Sequence, residues 1–269
     1  MRTRGFTLME LVIVIVITGV LAGALTVFFV PAVNSYFDTR RRADLTDLAD
    51  TALRRMAKDI RSAVPNSIRL VSSTCFQLVP TIAGGRYRLA PDTVTVGSKQ
   101  LDTSTTTDAF DVFSPLDKTP VSALDWVVID NQNGDDVYDG VNSKAVSGVT
   151  VPATGQHRIT LASPKQFPIG YDGGRFLVVP SVAQTVFYSC PGDGKLYRKA
   201  ANNFTKVDAI ACNAATDAVV TTDVASCTFV YDPNQGATQQ SGFVSIRLQL
   251  SRSGESVTLS YGVHVDNVP

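Results

Sequence analysis

The 269-residue sequence has little of what most enzymes and metalloproteins need. It holds two histidines, four cysteines and one tryptophan, and no two cysteines form a C-x-x-C pair, so their spacing gives no support to a zinc site. His157 and His264 have no serine or cysteine at a spacing that indicates a catalytic triad. The formal net charge is zero, which gives no sign of a nucleic-acid partner. We therefore expect no enzyme activity, no cofactor and no metal.

Glutamate is also scarce, since Glu10 and Glu255 are its only two copies. The remaining polar residues are rich in aspartate, asparagine, glycine, serine and threonine, which favour turns and strands over helix interiors. The length and the 44% hydrophobic content suffice for one large domain or two small lobes. Composition thus favours β structure for most of the chain.

The first thirty residues contain a long apolar run. Residues 6–30 hold Glu10 as their only charged residue, and as a helix they would extend about 37 Å, more than the ~30 Å of a bilayer core. Arg2 and Arg4 give this run the basic start of a secretory signal peptide, but it is too long for one. A carboxylate inside a bilayer costs about 2.5–3.5 kcal/mol at the centre and less near the edge. Glu10 therefore either reaches water at the interface or pairs with a partner.

The segment RGFTLMELVIVIVITGVLA resembles the N-terminal motif of the type IV pilin and pseudopilin family. The resemblance implies that prepilin peptidase cuts between Gly5 and Phe6 and that Phe6 is then N-methylated. It also implies that Glu10, in the fibre core, pairs with the α-amine of a neighbouring subunit. Family members melt part of this helix near a glycine and a proline, which here implies a helix break at Gly19 and Pro31.

The same resemblance implies a topology and a set of partners. Residues 1–5 would be the leader and residues 6–30 a single inner-membrane span, with the N-terminus cytoplasmic and the head periplasmic. After assembly the head would lie on the pilus at the cell surface. The implied partners are prepilin peptidase, the major pilin, other minor pilins, the inner-membrane assembly platform and, before assembly, membrane lipid.

Residues 31–64 carry apolar residues at helical spacing, and Pro65 predicts the end of that helix. Beyond it, short apolar runs separated by turn residues predict strands. The expected fold is α+β: a long helical spine, half in the membrane and half amphipathic, packed against a β-rich head of residues 65–269. The clearest predicted element is a hairpin with its turn at residues 251–255. The predicted apolar stripe consists of Val33, Phe37, Leu45, Leu48, Ala52, Met56, Ile60 and Val64, and the other candidate strands are 75–79, 86–89, 110–113, 126–129, 157–161, 176–179, 185–188 and 228–231.

Four cysteines in an exported head indicate two disulfides formed in an oxidising compartment. Three pairings of Cys75, Cys190, Cys212 and Cys227 are possible, and the sequence does not choose among them. The expected pairing is Cys212–Cys227, which a short loop joins, together with Cys75–Cys190.

The segment DNQNGDDVYDG, residues 130–140, is rich in oxygen ligands of the kind that calcium prefers. Asp130, Asn133, Asp135 and Asp136 form a weak calcium candidate, because their register does not fit an EF-hand loop. Asn133-Gly134 is a strong hairpin-turn signal, so a plain turn is the favoured interpretation.

The head carries a second resemblance. The segments CTFVYDPNQGATQQSGFVSIRLQL and YGVHVDNVP at the end of the chain, and CFQLVPTIAGGRYRL after the helix, resemble minor pilins of MSHA-pilus biogenesis. This implies a minor subunit that helps to initiate the pilus and lies at its tip. A minor pseudopilin of a type II secretion system and a fibre-borne adhesin are the alternatives.

Overall fold

The computed structural model describes residues 5–116, 121–169, 173–213, 218–235 and 241–266. Its first element is the helix α1, Leu8–Arg61, which at 1.5 Å per residue is about 81 Å long. Thr7 caps its start, and Ser62 ends it shortly before Pro65. The predicted spine of residues 6–64 is thus confirmed to within three residues at either end.

The two halves of α1 differ in what covers them. From Leu8 to Phe37 the apolar side chains are exposed on every face. Val33 and Phe37, predicted for the buried stripe, remain about half exposed because the head begins to cover the helix only at Leu45. The buried face of α1 consists of Leu45, Ala49, Ala52, Leu53, Met56, Ala57 and Ile60.

Beyond α1 the chain is mostly strand. The predicted strand at 86–89 lies earlier, at 83–86, and several weakly alternating strands had not been predicted. Within the described ranges the strands are β1 Arg69–Ser72, β2 Cys75–Leu78, β3 Ala83–Arg86, β4 Thr107–Val112, β5 Trp126–Ile129, β6 Ser143–Thr150, β7 His157–Lys165, β8 Arg175–Val179, β9 Thr185–Ser189, β10 Lys195–Ala201, β11 Ala218–Thr222, β12 Val224–Gln235, β13 Ser241–Arg252 and β14 Glu255–Asp266, with a short helix α2, Ala209–Asn213, before β11.

Two sheets share one core with α1. The three-stranded sheet β12-β13-β14 packs its apolar face on the helix, as the predicted hairpin requires. Its turn consists of Ser253 and Gly254, both with positive φ, which gives the tight two-residue hairpin loop. The second sheet has the order β1-β2-β9-β10-β11. Side chains from both sheets, including Phe76, Tyr188 and Phe229, join the buried helix face.

The described residues between 83 and 179 form a separate lobe inserted between β2 and β9. These two strands pair antiparallel, with Leu78 opposite Val186. The chain therefore enters the lobe from the end of β2 and returns from it to β9 at neighbouring points of the sheet. Its strands have the order β3-β8-β5-β6-β7-β4, all antiparallel. A bridge between Tyr87 and Val112 joins the first strand to the last. The sheet therefore closes into a six-stranded barrel, which we call the barrel below.

The barrel has its own apolar core. Phe110, Val127, Ile159 and Phe176 are all at most 1% exposed inside it. Gly85 permits the closure, because a Cβ at this position would lie 2.0 Å from Ser114 Oγ on the chain that follows β4. The head is thus built of two units, a helix-based core and an inserted barrel.

Candidate processing and assembly site

Gly5 and Phe6 precede α1 in an open position. Phe6 is 77% exposed, and a side chain added at Gly5 would meet no atom within 4 Å. A peptidase could therefore reach the backbone between them. Residues 1–4, the rest of the predicted leader, lie outside the described residues.

Thr7 and Glu10 form a capping box at the start of α1. Glu10 N donates to Thr7 Oγ1, and Thr7 N donates to Glu10 Oε2, both over 3.3 Å. These bonds satisfy two backbone donors that the first helical turn would leave without partners. Thr7 was not among the predicted site residues, although Thr-x-x-Glu is the signature of this motif. In the isolated chain Glu10 therefore has a local partner.

The exposed half of α1 fits membrane anchoring. Among the described residues α1 is the one helix that is long and apolar enough to cross a bilayer. The helix continues through Gly19 and Pro31 without interruption. The melting expected there in the fibre stays a prediction.

The two disulfides pair differently from the expectation. Cys75 is bonded to Cys212 and Cys190 to Cys227, with Cα–Cα distances of 6.4 and 6.3 Å. Ser189 lies directly opposite Cys75 in the sheet, so the next residue, Cys190, points to the opposite face. The expected pairing Cys75–Cys190 with Cys212–Cys227 was therefore wrong.

Side-chain oxygen atoms of the loop at 130–140 interact with other groups of the protein. Asp136 Oδ2 accepts from both Asn133 N and Asn133 Nδ2 at 3.0 Å, which closes a turn. Asp135 lies 3.2 Å from Lys206 Nζ, and Asp130 is 5% exposed. Within the described part of the chain no group of three or more histidine, cysteine or acidic side chains could hold a metal. This geometry favours the turn over the calcium site.

The same loop attaches the barrel to the end of α1. Asn131 Nδ2 donates to Pro65 O over 2.6 Å, and Asn66 Nδ2 donates to Asn131 O over 2.8 Å. Asn142 Nδ2 fixes the Asn131 side chain with a bond of 2.8 Å to its Oδ1. Tyr138 adds a bond of 2.7 Å from its hydroxyl to a backbone oxygen in the same segment. The barrel is therefore seated at the end of α1 that lies farthest from Phe6.

The buried carboxylate of Asp111, on β4, is fully partnered. Asp111 is completely buried and accepts 2.6 Å bonds from Arg158 Nε and Thr154 Oγ1. Burial acts to raise the pKa of Asp111, but the hydrogen bonds from Arg158 and Thr154 outweigh it and hold the pKa below its usual range. This cluster fastens strands and loops of the barrel to one another.

Residues 1–26 match the family described as the prokaryotic N-terminal methylation motif. No curated protein and no solved structure matches the chain. The motif favours a structural subunit over an enzyme. It implies a type IV pilin-like or pseudopilin precursor that prepilin peptidase processes.

Proposed function

We propose that this chain is a minor type IV pilin that helps to initiate an MSHA-type pilus and stays at its tip. Prepilin peptidase cuts between Gly5 and Phe6, and Phe6 becomes the N-methylated N-terminus. The subunit waits in the inner membrane with its N-terminus cytoplasmic and its head periplasmic. The assembly platform then moves it into the fibre with the major pilin and other minor pilins.

Glu10 guides this assembly through its charge. In the isolated chain its carboxylate is bonded to Thr7. In an apolar fibre core a bare carboxylate is costly, and a positive Phe6 amine of a neighbouring subunit offsets that cost. Because the pair forms only at one axial offset, it sets the stagger between helices. Gly19 and Pro31 lower helix stability in the same segment, which supports local melting during packing.

The position of the barrel carries the proposal for the tip. A shaft subunit must have neighbours beyond the far end of its head, since fibre subunits stack along their helices. Here the barrel occupies that end, fixed to the segment after α1 by Asn131 and Tyr138. The first subunit of a fibre has no neighbour beyond it. At that position the barrel meets no other subunit, whereas in the shaft it would occupy the space of the next one.

The resemblance of the head segments to MSHA-pilus minor pilins supports the pilus over a secretion system. A type II minor pseudopilin would share every N-terminal feature, so abundance and location must separate the two. The test is the amount of this protein relative to the major pilin in fibres sheared from cells, together with gold labelling of a tagged head. The major pilin, labelled in the same way, is the control.

We expect a trace amount in sheared fibres, with gold at fibre ends. Stoichiometric protein with gold along the shaft would contradict tip placement. Trimmed protein that stays in the envelope and is absent from fibres would contradict the pilus assignment and favour a secretion pseudopilin.

A further inference from the structure

Two arginines lie side by side at one end of the barrel. Arg86 ends β3 and Arg175 begins β8, and the two are directly opposite in antiparallel register. Tyr87 and Phe176, their neighbours in sequence, point into the barrel core. Side chains alternate along a strand, so both guanidinium groups project from the outer face, where both residues are exposed.

This pair has no compensating charge among the described residues. The other two arginines of the barrel are ion-paired, Arg158 with Asp111 and Arg88 with Asp92. Like charges directly opposite on neighbouring strands are destabilising. The Arg86–Arg175 pair therefore presents two unpaired cations to the solvent.

A groove of about 380 Å³ begins beside the pair and is lined by Arg86, Leu89, Pro91 and Phe113. Leu89 and Phe113 are 55% and 50% exposed there. The Arg88 guanidinium lies 4.8 Å from the centre of the Phe113 ring. The site thus combines a cationic end with apolar walls.

We propose that the Arg86–Arg175 pair and this groove bind an acidic sugar unit of a surface polysaccharide. Guanidinium groups bind carboxylates with paired, charge-assisted hydrogen bonds, and apolar walls suit the C–H face of a sugar ring. One pair of cations matches a single carboxylate. A nucleic acid would need many more cationic contacts, which a chain of zero net charge does not offer.

The test measures binding of trigalacturonate, with neutral trigalactose beside it, to the full-length chain in detergent micelles. Arg86→Gln and Arg175→Glu are the variants. The matched control is Arg247→Gln, which removes an exposed arginine from β13. We expect the unmodified chain and the control to bind trigalacturonate and not trigalactose. Each site variant should lose about tenfold or more in affinity, because a charge-assisted bond is removed.

Arg175→Glu separates loss of binding from loss of folding. It places a carboxylate opposite Arg86, so we expect its thermal midpoint to rise while its sugar binding is lost. The proposal is overturned if Arg175→Glu binds trigalacturonate normally, or if trigalactose binds equally well. It is also overturned if trigalacturonate does not bind while anionic vesicles or single-stranded DNA bind through these arginines. The measurement is made on the purified protein, so its outcome is independent of where the subunit lies in a fibre.

Discussion

The side chain of Asn131 in the barrel donates a hydrogen bond of 2.6 Å to the backbone oxygen of Pro65, just past the end of α1. Asn131 is 2% exposed, so water does not compete for this bond. Its side-chain oxygen accepts from Asn142, which holds the amide in the required orientation. The buried Asn131 amide thus joins the long helix to the inserted barrel, together with the bonds of Asn66 and Tyr138.

Replacing Asn131 with alanine should loosen this connection. The variant leaves Pro65 O and Asn142 Nδ2 without their partners, and a buried unsatisfied group costs about 1–3 kcal/mol. We expect the free energy of unfolding in urea to fall by about that amount. Asn133→Ala is the control, because Asn133 belongs to the same loop but is exposed. Equal midpoints for the two variants would contradict a role for Asn131 at the junction.

Asp130 should make the head less stable as the pH rises. Burial raises the pKa of its carboxyl to about 6, and among the described residues its Oδ1 has no hydrogen-bond partner. In the unfolded chain the pKa is about 3.9. Between these values the native state holds a proton that the unfolded state has released, so stability falls from about pH 4 to about pH 6 and then stays level.

The variant Asp130→Asn should remove this dependence. Because the amide does not ionise, we expect the free energy of unfolding at pH 7 to rise by about 1–3 kcal/mol. Urea unfolding at pH 4, 5, 6 and 7 is the measurement. Asp139→Asn removes an exposed carboxylate from the same loop and should leave the slope in place. An unchanged slope in Asp130→Asn would show that another group causes it.

The disulfide pairing can be determined from disulfide-linked peptides. Mass spectrometry of a non-reduced digest should find Cys75 with Cys212 and Cys190 with Cys227. The bridges span 137 and 37 residues, so the chain-entropy model gives about 5 and about 4 kcal/mol of stabilisation. Replacing each pair by alanines should lower the free energy of unfolding in that order. Peptides that join Cys75 to Cys190 would contradict the structure.

The charge of Glu10 can be tested apart from its capping bond. Glutamine at this position still satisfies the capping box with Thr7 but cannot pair with a neighbouring amine. We expect Glu10→Gln to be cleaved normally after Gly5. Removing one partner of a buried ion pair costs about 3–5 kcal/mol, so recovery in sheared fibres should fall at least about tenfold.

Asp47→Asn is the matched control, because Asp47 is an exposed acid on the part of α1 that lies against the head. It should assemble like the unmodified chain. If Glu10→Gln is recovered in fibres at the normal level, charge pairing is not what inserts this subunit.

Local pattern predicted the spine and the final hairpin, because each depends on residues close in sequence. The apolar run from Phe6, the stripe from Leu45 and the alternation around Ile246 are all visible without tertiary information. The burial of individual α1 residues could not be predicted from the pattern. Val33 and Phe37 fit the apolar stripe but lie in the part of α1 that the head does not cover.

The barrel and the disulfides depend on pairings between distant residues. Closure needs Tyr87 to meet Val112, and β6 and β10 alternate too weakly to be recognised alone. The cysteine pairing follows from which face of the sheet Cys190 occupies, and only the register with Cys75 fixes that face. Residues 133–136 form a turn, as Asn133-Gly134 indicated, but the contact of this loop with the helix end left no signal in the sequence.

The two strands that carry the barrel are bounded by cysteines. Cys75 begins β2 and Cys190 directly follows β9, and each is bonded to a different element, α2 and β12. A load on the barrel passes to the rest of the head through these two strands once the hydrogen bonds of Asn131 and Tyr138 to the segment after α1 have broken. The hydrogen bonds between β2 and β9 can break under this load. Separation of the two strands stops at Cys75 and Cys190, because their disulfides transfer the tension to α2 and β12. Tension on the barrel would thus be carried by covalent bonds and leave the core on α1 intact.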